Sequence, residues 1–211
     1  MNIDLHTHSQ ASPDGSLRLE DYRHMLQSGT LDYIAITDHD RIDFAVAAQA
    51  ALGNQIIIGE EITTQEGEII GLYLKTPIPP GLSAAETVRR IQIQRGIVYI
   101  PHPFETVRKG ISLASLNNIA TAVNIVETYN GRSLQNRGKL AEQWAQTHHL
   151  PGASSSDSHG WHGWGRTYST VAHKPTYKTL TGLLQDAQHS KRSTGVRGRI
   201  YPKFNRLRGH R

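Results

Sequence analysis

The sequence predicts an α/β fold in which short parallel strands form a closed or nearly closed barrel. Three observations carry that prediction. Short apolar runs alternate with segments of helical spacing along most of the chain. The runs are apolar throughout, as strands buried on both faces are. About seven such units follow one another, with no internal repeat and no heptad pattern. An open doubly wound sheet is the competing arrangement.

The elements follow in order. Residues 2–8 form a first strand, and Pro13-Asp14-Gly15 supplies turn chemistry to the loop 9–16. Leu19, Tyr22, Met25 and Leu26 have helical spacing over 19–28, and Gly29 can end that helix. A strand at 33–37 precedes a helix at 43–52, which Asp43 can cap. Strands follow at 55–58 and 69–74, then a turn at 77–81. Ser83 to Glu86 resembles a capping box that opens a helix running to Arg95. Beyond it come a strand at 97–100, a helix at 113–121, a strand at 123–126 and a helix at 134–148. Strands at 152–155 and 168–171 and a helix at 177–188 complete the body.

Composition narrows the chemistry. A chain of 211 residues suits one domain and can bury a sizeable core. It contains no cysteine, which excludes disulfides, thiolate zinc sites and cysteine nucleophiles. No secretory signal and no apolar run of membrane-spanning length are visible, so a soluble, cytoplasmic protein is expected. The net charge of +5 is unevenly placed. Residues 190–211 hold eight of the 23 basic residues and no acid, which leaves the body with 15 bases against 18 acids. This segment reads as a flexible basic tail. It is either a solvated terminus or an attractor of nucleic acid or another polyanion.

Metal-competent residues gather at the strand ends. The first strand carries His6 and His8, which project from one face because residues two apart in a strand do so. The loop beyond offers Asp14. His39 follows the second strand, Glu60 ends the third, and His102, between two prolines, ends the fifth. Asp157 and His159 follow the strand at 152–155 and repeat the spacing of His6 and His8. Glu68 opens its strand, so it reaches the same rim only if that strand runs opposite to the others. In a parallel barrel the C-terminal strand ends share one rim, where sites are built. Five histidines and four carboxylates exceed the needs of one tetrahedral ion and suit two or three, bridged by a carboxylate. Imidazole and carboxylate without thiolate fit Zn²⁺, Mn²⁺ or Fe²⁺.

The motifs His6-Thr7-His8, Asp14-Gly15, Thr37-Asp38-His39, Gly59-Glu60-Glu61, His102-Pro103 and Ser156-Asp157-Ser158-His159 resemble the polymerase and histidinol phosphatase (PHP) superfamily in order and context. The resemblance covers about residues 1–164 and implies a distorted (β/α)7 TIM-like barrel, with a trinuclear metal site at the C-terminal ends of the strands. A single domain, 1–189, followed by the tail, 190–211, is the organisation expected. The resemblance further implies a first metal held by His6, His8, Glu60 and Asp157. A second is held by Glu60, Glu68 and His102, and a third by Asp14, His39 and His159. Many relatives have histidine where Glu68 stands, so the second site is either harder and more anionic or weakly occupied.

The implied activity is hydrolysis of a phosphate ester by hydroxide activated at a two- or three-metal centre. A guanidinium is then expected on a phosphoryl oxygen. Arg132 is the first candidate and Arg166 the second, while His162 serves either as general acid or in packing beside Trp161 and Trp164. Three readings follow: a small-molecule phosphoesterase acting on a phosphorylated metabolite or nucleotide, a nuclease-like phosphoesterase guided by the basic tail, and a non-catalytic scaffold.

Overall fold

The structure, a computed structural model, describes residues 1–133 and 137–208. Among the described residues, nine strands form one sheet. They are β1 (Asn2–Asp4), β2 (Tyr33–Ile36), β3 (Ile56–Thr63), β4 (Glu68–Leu72), β5 (Ile97–Ile100), β6 (Ile125–Asn130), β7 (Gly152–Ser155), β8 (Thr167–Thr170) and β9 (Gln188–Lys191). The helices are α1 (Leu19–Gln27), α2 (Asp43–Leu52), α3 (Ala84–Ile93), α4 (Leu113–Asn118), α5 (Gly138–Thr147), α6 (Leu180–Gln185) and α7 (Gly195–Arg208). Strand order is β7-β6-β5-β4-β3-β2-β1-β8-β9.

The sheet curls into a nearly closed barrel. β1, β2 and β3 are parallel neighbours, as are β5, β6 and β7. At the rim the chain beyond β1 meets the chain beyond β7, where Asp157 N donates to His6 O at 2.9 Å and His8 N donates to Ser158 O at 2.8 Å. Lower down, antiparallel β8 pairs with β1, and Ser154 N in β7 donates to the Ser169 hydroxyl of β8 at 2.9 Å. The two ladder strands β3 and β5 are joined through β4, which runs antiparallel to both. That reversal carries Glu68, at the start of β4, to the C-terminal rim.

Side-chain parity sorts the core. Ile3, Ala35, Ile57, Ile70, Tyr99, Ile125 and Ala153 fill the barrel interior, and Leu180 and Leu184 of α6 pack against them. The opposite faces of the strands, with Ile34, Ile36, Ile62, Ile69, Val98, Ile100 and Val126, pack against the helices. Each fully buried aliphatic side chain contributes about 1.5–3 kcal/mol, so these two layers supply most of the driving force. No helix among the described residues is long and apolar enough to cross a membrane.

Several boundaries differ from the sequence reading for local reasons. β3 runs to Thr63 because its hairpin with β4 extends the ladder from Gly59–Leu72 to Thr63–Glu68. Ser83 caps α3, its hydroxyl accepting from Glu86 N at 3.2 Å, but the Glu86 carboxylate pairs with Arg89 and Arg90 instead of closing a capping box. Asp43 lies inside α2 and pairs with Arg41, so it does not cap. The last body helix is shorter than 177–188, because β9 begins at Gln188. The predicted helix start at 134 lies outside the described residues.

The described part of the basic segment, 190–208, is folded. β9 pairs with β8, and α7 returns to the rim of the barrel. Thr194 N donates to Gly131 O at 3.0 Å, and Asn205 Nδ2 donates to Asp14 O at 2.8 Å. The division at 189/190 therefore falls within a strand, and α7 is part of the folded body.

Candidate metal centre

Eight of the nine predicted ligands converge at the rim: His6, His8, Asp14, His39, Glu68, His102, Asp157 and His159. His6 and His8 stand with their Nε2 atoms 3.1 Å apart. His8 lies 4.0 Å from His159 and 4.6 Å from His39, ring centre to ring centre. Asp14 Oδ1 is 3.4 Å from His159 Nε2 and 3.7 Å from His39 Nε2. Glu68 is 3.8 Å from His102 and 3.9 Å from His39.

The ninth prediction is corrected. Glu60 sits on the helix-facing side of β3, where Ile78 N donates to its carboxylate at 2.8 Å. Glu61 takes the central position. Its oxygens lie 3.0 Å from His102 Nε2, 3.4 Å from His6 Nε2, 3.2 Å from His8 Nε2 and 3.3 Å from His39 Nδ1. The reason is strand parity: Ile57 faces the barrel interior, so Glu61, four residues on, does too. Ile56, Ile57 and Ile58 are equally apolar, so the sequence does not show which parity faces inward; the structure places Ile57 in the interior and Ile56 and Ile58 on the helix side, which selects Glu61.

Of the three predicted catalytic residues, only Arg132 reaches the cluster. Its Nη1 donates to Asp157 Oδ1 at 2.9 Å and lies 2.8 Å from His159 Nδ1. His162 is exposed, with its ring 5.6 Å from that of Tyr201, and Arg166 is exposed at the start of β8. Neither lines the cavity of about 580 Å³ onto which Asp14, His39, Glu61, Glu68, His102, Asp157 and His159 open. The loop holding both turns outward after His159.

Three further residues complete the surroundings. Glu127 is buried, accepts from His6 Nδ1 at 3.1 Å, from Tyr99 Oη at 2.9 Å and from His102 N at 2.7 Å. It shares the interior parity of Ile125, which is the signal that would have found it. A carboxylate on Nδ1 fixes the His6 tautomer and leaves Nε2 free to coordinate. Asp38 holds the Asp14 loop, accepting from Ser9 N at 2.7 Å and Ser12 Oγ at 2.8 Å. Arg108, from the loop after β5, donates Nη1 to Asp157 Oδ2 while Glu105 accepts from its Nε and Nη2. No periodicity marks Arg108, since it lies in a loop and acts through its fold position.

The electrostatics describe a site short of positive charge. Burial, followed by the charge of Glu61, pushes Glu68 up to about 9. Burial opposes ionisation of Asp157, but Arg132, His6 and Arg108 outweigh it and hold the carboxyl well below its usual range. Burial likewise disfavours charge on His6, yet Asp157, Glu61 and Glu127 raise its pKa well above the ordinary value. Burial, then Arg132 and His8, lower His159 to about 3, leaving a neutral imidazole.

The donors suit divalent cations. Four groups could each hold an ion: His8, His39 and His159; His6, His8 and Glu61; His6, His102 and Asp157; and His39, Glu61 and Glu68. Within each group the ligand atoms lie within 4.8 Å of one another. Glu61 belongs to two of them, as a bridging carboxylate does. His102 Nδ1 is buried with no hydrogen-bond partner, so nothing in its surroundings competes for the ring orientation that aims Nε2 inward.

Comparison with known proteins agrees with this geometry. A family model described as the PHP domain matches residues 4–191. The chain is 32% identical over 149 residues to the uncharacterized protein MJ1587 of Methanocaldococcus jannaschii, covering 64% of this chain and 87% of that protein. It is also 32% identical over 170 residues to MJ0417 of the same organism, covering 75% of this chain and 65% of that one. Among solved structures, it shares the fold of a two-domain protein from Bacteroides vulgatus containing a predicted PHP-like metal-dependent phosphoesterase. That match has a TM-score of 0.73 and 18% identity, and covers 98% of this chain and 69% of the other.

Proposed function

The chain belongs to the PHP domain family, and from that premise we propose that it is a hydrolase of phosphate esters, acting on a small phosphorylated metabolite or nucleotide through two or three bound divalent ions. The observation that carries the reading is the convergence of His6 and His8, both buried, with Asp14, His39, Glu61, Glu68, His102, Asp157 and His159, which line one cavity together with Arg132.

Divalent ions in such a site supply Lewis-acid stabilisation of phosphoryl oxygens and lower the pKa of bound water. The protein's own groups do the rest. Glu61, in two of the candidate groups, is the residue to bridge ions. Glu127 keeps His6 in the tautomer whose Nε2 points inward. Arg132 spans Asp157 and His159, so its guanidinium stands where a non-bridging phosphoryl oxygen would approach. Arg108 is braced by Glu105 through two nitrogens, which leaves Nη1 directed at the centre. Harder carboxylate donors at Glu61 and Glu68 favour Mn²⁺ or Fe²⁺ over Zn²⁺ in the group they share with His39.

The test is direct. Purified protein loaded with Mn²⁺ should release phosphate from p-nitrophenyl phosphate or a nucleoside monophosphate, and His6→Ala should abolish that activity together with part of the bound metal. Full metal content without turnover on any phosphoester would favour the scaffold reading instead.

A further inference from the structure

Two features have no part in the ligand set: the Gly/Trp-rich loop 160–165 and the basic helix α7, which lies beyond residues 4–191. They are built for each other. A Cβ on Gly160 would strike the Tyr201 ring, one on Gly163 would strike the Thr194 backbone, and one on Gly198 would come within 2.7 Å of His162 O. Missing side chains on both partners let the chain at Gly163 and Gly198 meet backbone directly and let the Tyr201 ring lie against Gly160. Asn205 Nδ2 then donates to Asp14 O at 2.8 Å and approaches His159 O at 3.4 Å, so α7 is fastened to two loops that carry predicted ligands. Pro202 and Arg199 line the 580 Å³ cavity directly.

Arg199 occupies a particular place. Its Nη2 donates to Ser133 O at 3.0 Å, while its Nε is buried without a hydrogen-bond partner. It lines both the metal cavity and an adjoining cavity of about 280 Å³, which also share His102 and Glu105. A buried guanidinium N–H without a partner is costly, and an anion is the ligand that satisfies it.

We propose that α7 is a substrate-selecting cap on the metal cavity, seated on loop 160–165, with Arg199 as a substrate-binding guanidinium. A polynucleotide needs a groove open at both ends, and α7 closes one side of the rim. The cap therefore admits small phosphoesters and terminal phosphates and rejects internal linkages. The proposal rests on the phosphoesterase reading and narrows its substrate class.

The experiment uses the full chain with Mn²⁺ and two cap variants, Gly198→Ala and Asn205→Ala, neither of which removes a predicted ligand. Gly198→Ala favours the helix intrinsically yet introduces the clash with His162 O, so its effect reads docking and not helix strength. Trypsin should cut within 195–208 slowly in the native protein, more slowly with inorganic phosphate, and about tenfold faster in both variants, since cleavage tracks the undocked population. Both variants should also raise the rate on an oligonucleotide lacking terminal phosphates about tenfold relative to p-nitrophenyl phosphate. Arg199→Ala should raise KM for p-nitrophenyl phosphate about tenfold, the effect of one charge-assisted hydrogen bond, with kcat changed less and Arg199→Lys restoring part.

Equal trypsin rates in native and variant proteins overturn the docking. Undocking that leaves the substrate ratio unchanged overturns the selection. If no phosphoester is turned over but phosphate still protects α7, and Arg199→Ala abolishes that protection, the anion contact stands and the phosphoesterase reading fails. If phosphate gives no protection and Arg199→Ala leaves KM unchanged, the cap does not touch substrate.

Discussion

Glu60 and Glu61 are adjacent in the chain and face opposite layers of it, which makes them a matched pair for mutation. Glu61→Gln weakens the central donor of two ligand groups, so bound metal measured by elemental analysis should fall. Glu60→Gln should leave metal content intact and change the pH dependence of stability instead. Burial raises Glu60 from 4.5 to about 7 in the folded protein. Below 4.5 the residue is protonated in both states and carries no penalty. Between 4.5 and 7 the unfolded chain ionises while the folded one holds its proton, so stability falls as pH rises. The full penalty, on the order of 3 kcal/mol, is reached above 7. Glu60→Gln should therefore be more stabilising at pH 8 than at pH 4.5 in denaturant titrations, and a pH-independent difference would count against the assignment. A second consequence concerns His6 and Glu68, which the metal-free site keeps protonated at neutral pH. Ligation requires both to lose protons. Mn²⁺ uptake should release protons, seen as a buffer-dependent heat in calorimetry, and affinity should rise with pH from 6 to 8.

At the scale of elements, the site depends on how loops are fastened to strand ends. Asp38, two residues past the end of β2, holds Ser9 and Ser12 and with them the loop that presents Asp14. Asp38→Asn should reduce metal affinity about 10–100-fold, the usual effect of losing such a supporting partner. The loss should concentrate on an ion that Asp14, His39 and His159 would hold, leaving one class of tighter sites in a titration. Strand-end rim positions of this kind are legible in the sequence, because apolar runs mark strands and the residue just past each run falls on the rim. The exceptional Glu68 was legible as a condition, and the reversed β4 meets it. The choice between Glu60 and Glu61 is not legible, because the three isoleucines before Gly59 are apolar at both parities and leave the inward face unmarked. Arg108 and Asp38 act through contacts between distant segments, which no local pattern encodes. The α7 segment was read as loose because its docking relies on glycines and a few polar contacts, and its composition is that of a solvated terminus.

At the scale of the whole molecule, candidate ligands come from every part of the barrel, so metal binding at this centre would be coupled to folding. Ions that bind the native state and not the unfolded chain stabilise it by about 2.7 kcal/mol at a concentration one hundred times Kd. Saturating Mn²⁺ should raise the melting temperature by several degrees, and a chelator should return it; an unchanged transition would exclude tight binding to the folded state alone. The seam where the chain beyond β1 meets the chain beyond β7 gives this coupling a direction in time. His6 and His8 sit beside Asp157 and Ser158 through hydrogen bonds that close the ring, and Asp4 accepts from Ser156 N at 3.0 Å across 152 residues. Contacts of such sequence separation form late, because the intervening chain must first surrender its freedom. A ribosome synthesising this protein exposes the first two imidazoles early and their partner carboxylate only about 150 residues later. The growing chain therefore cannot assemble the His6–Asp157 group until its last interior strand has emerged, and the completed centre marks a barrel that has already closed.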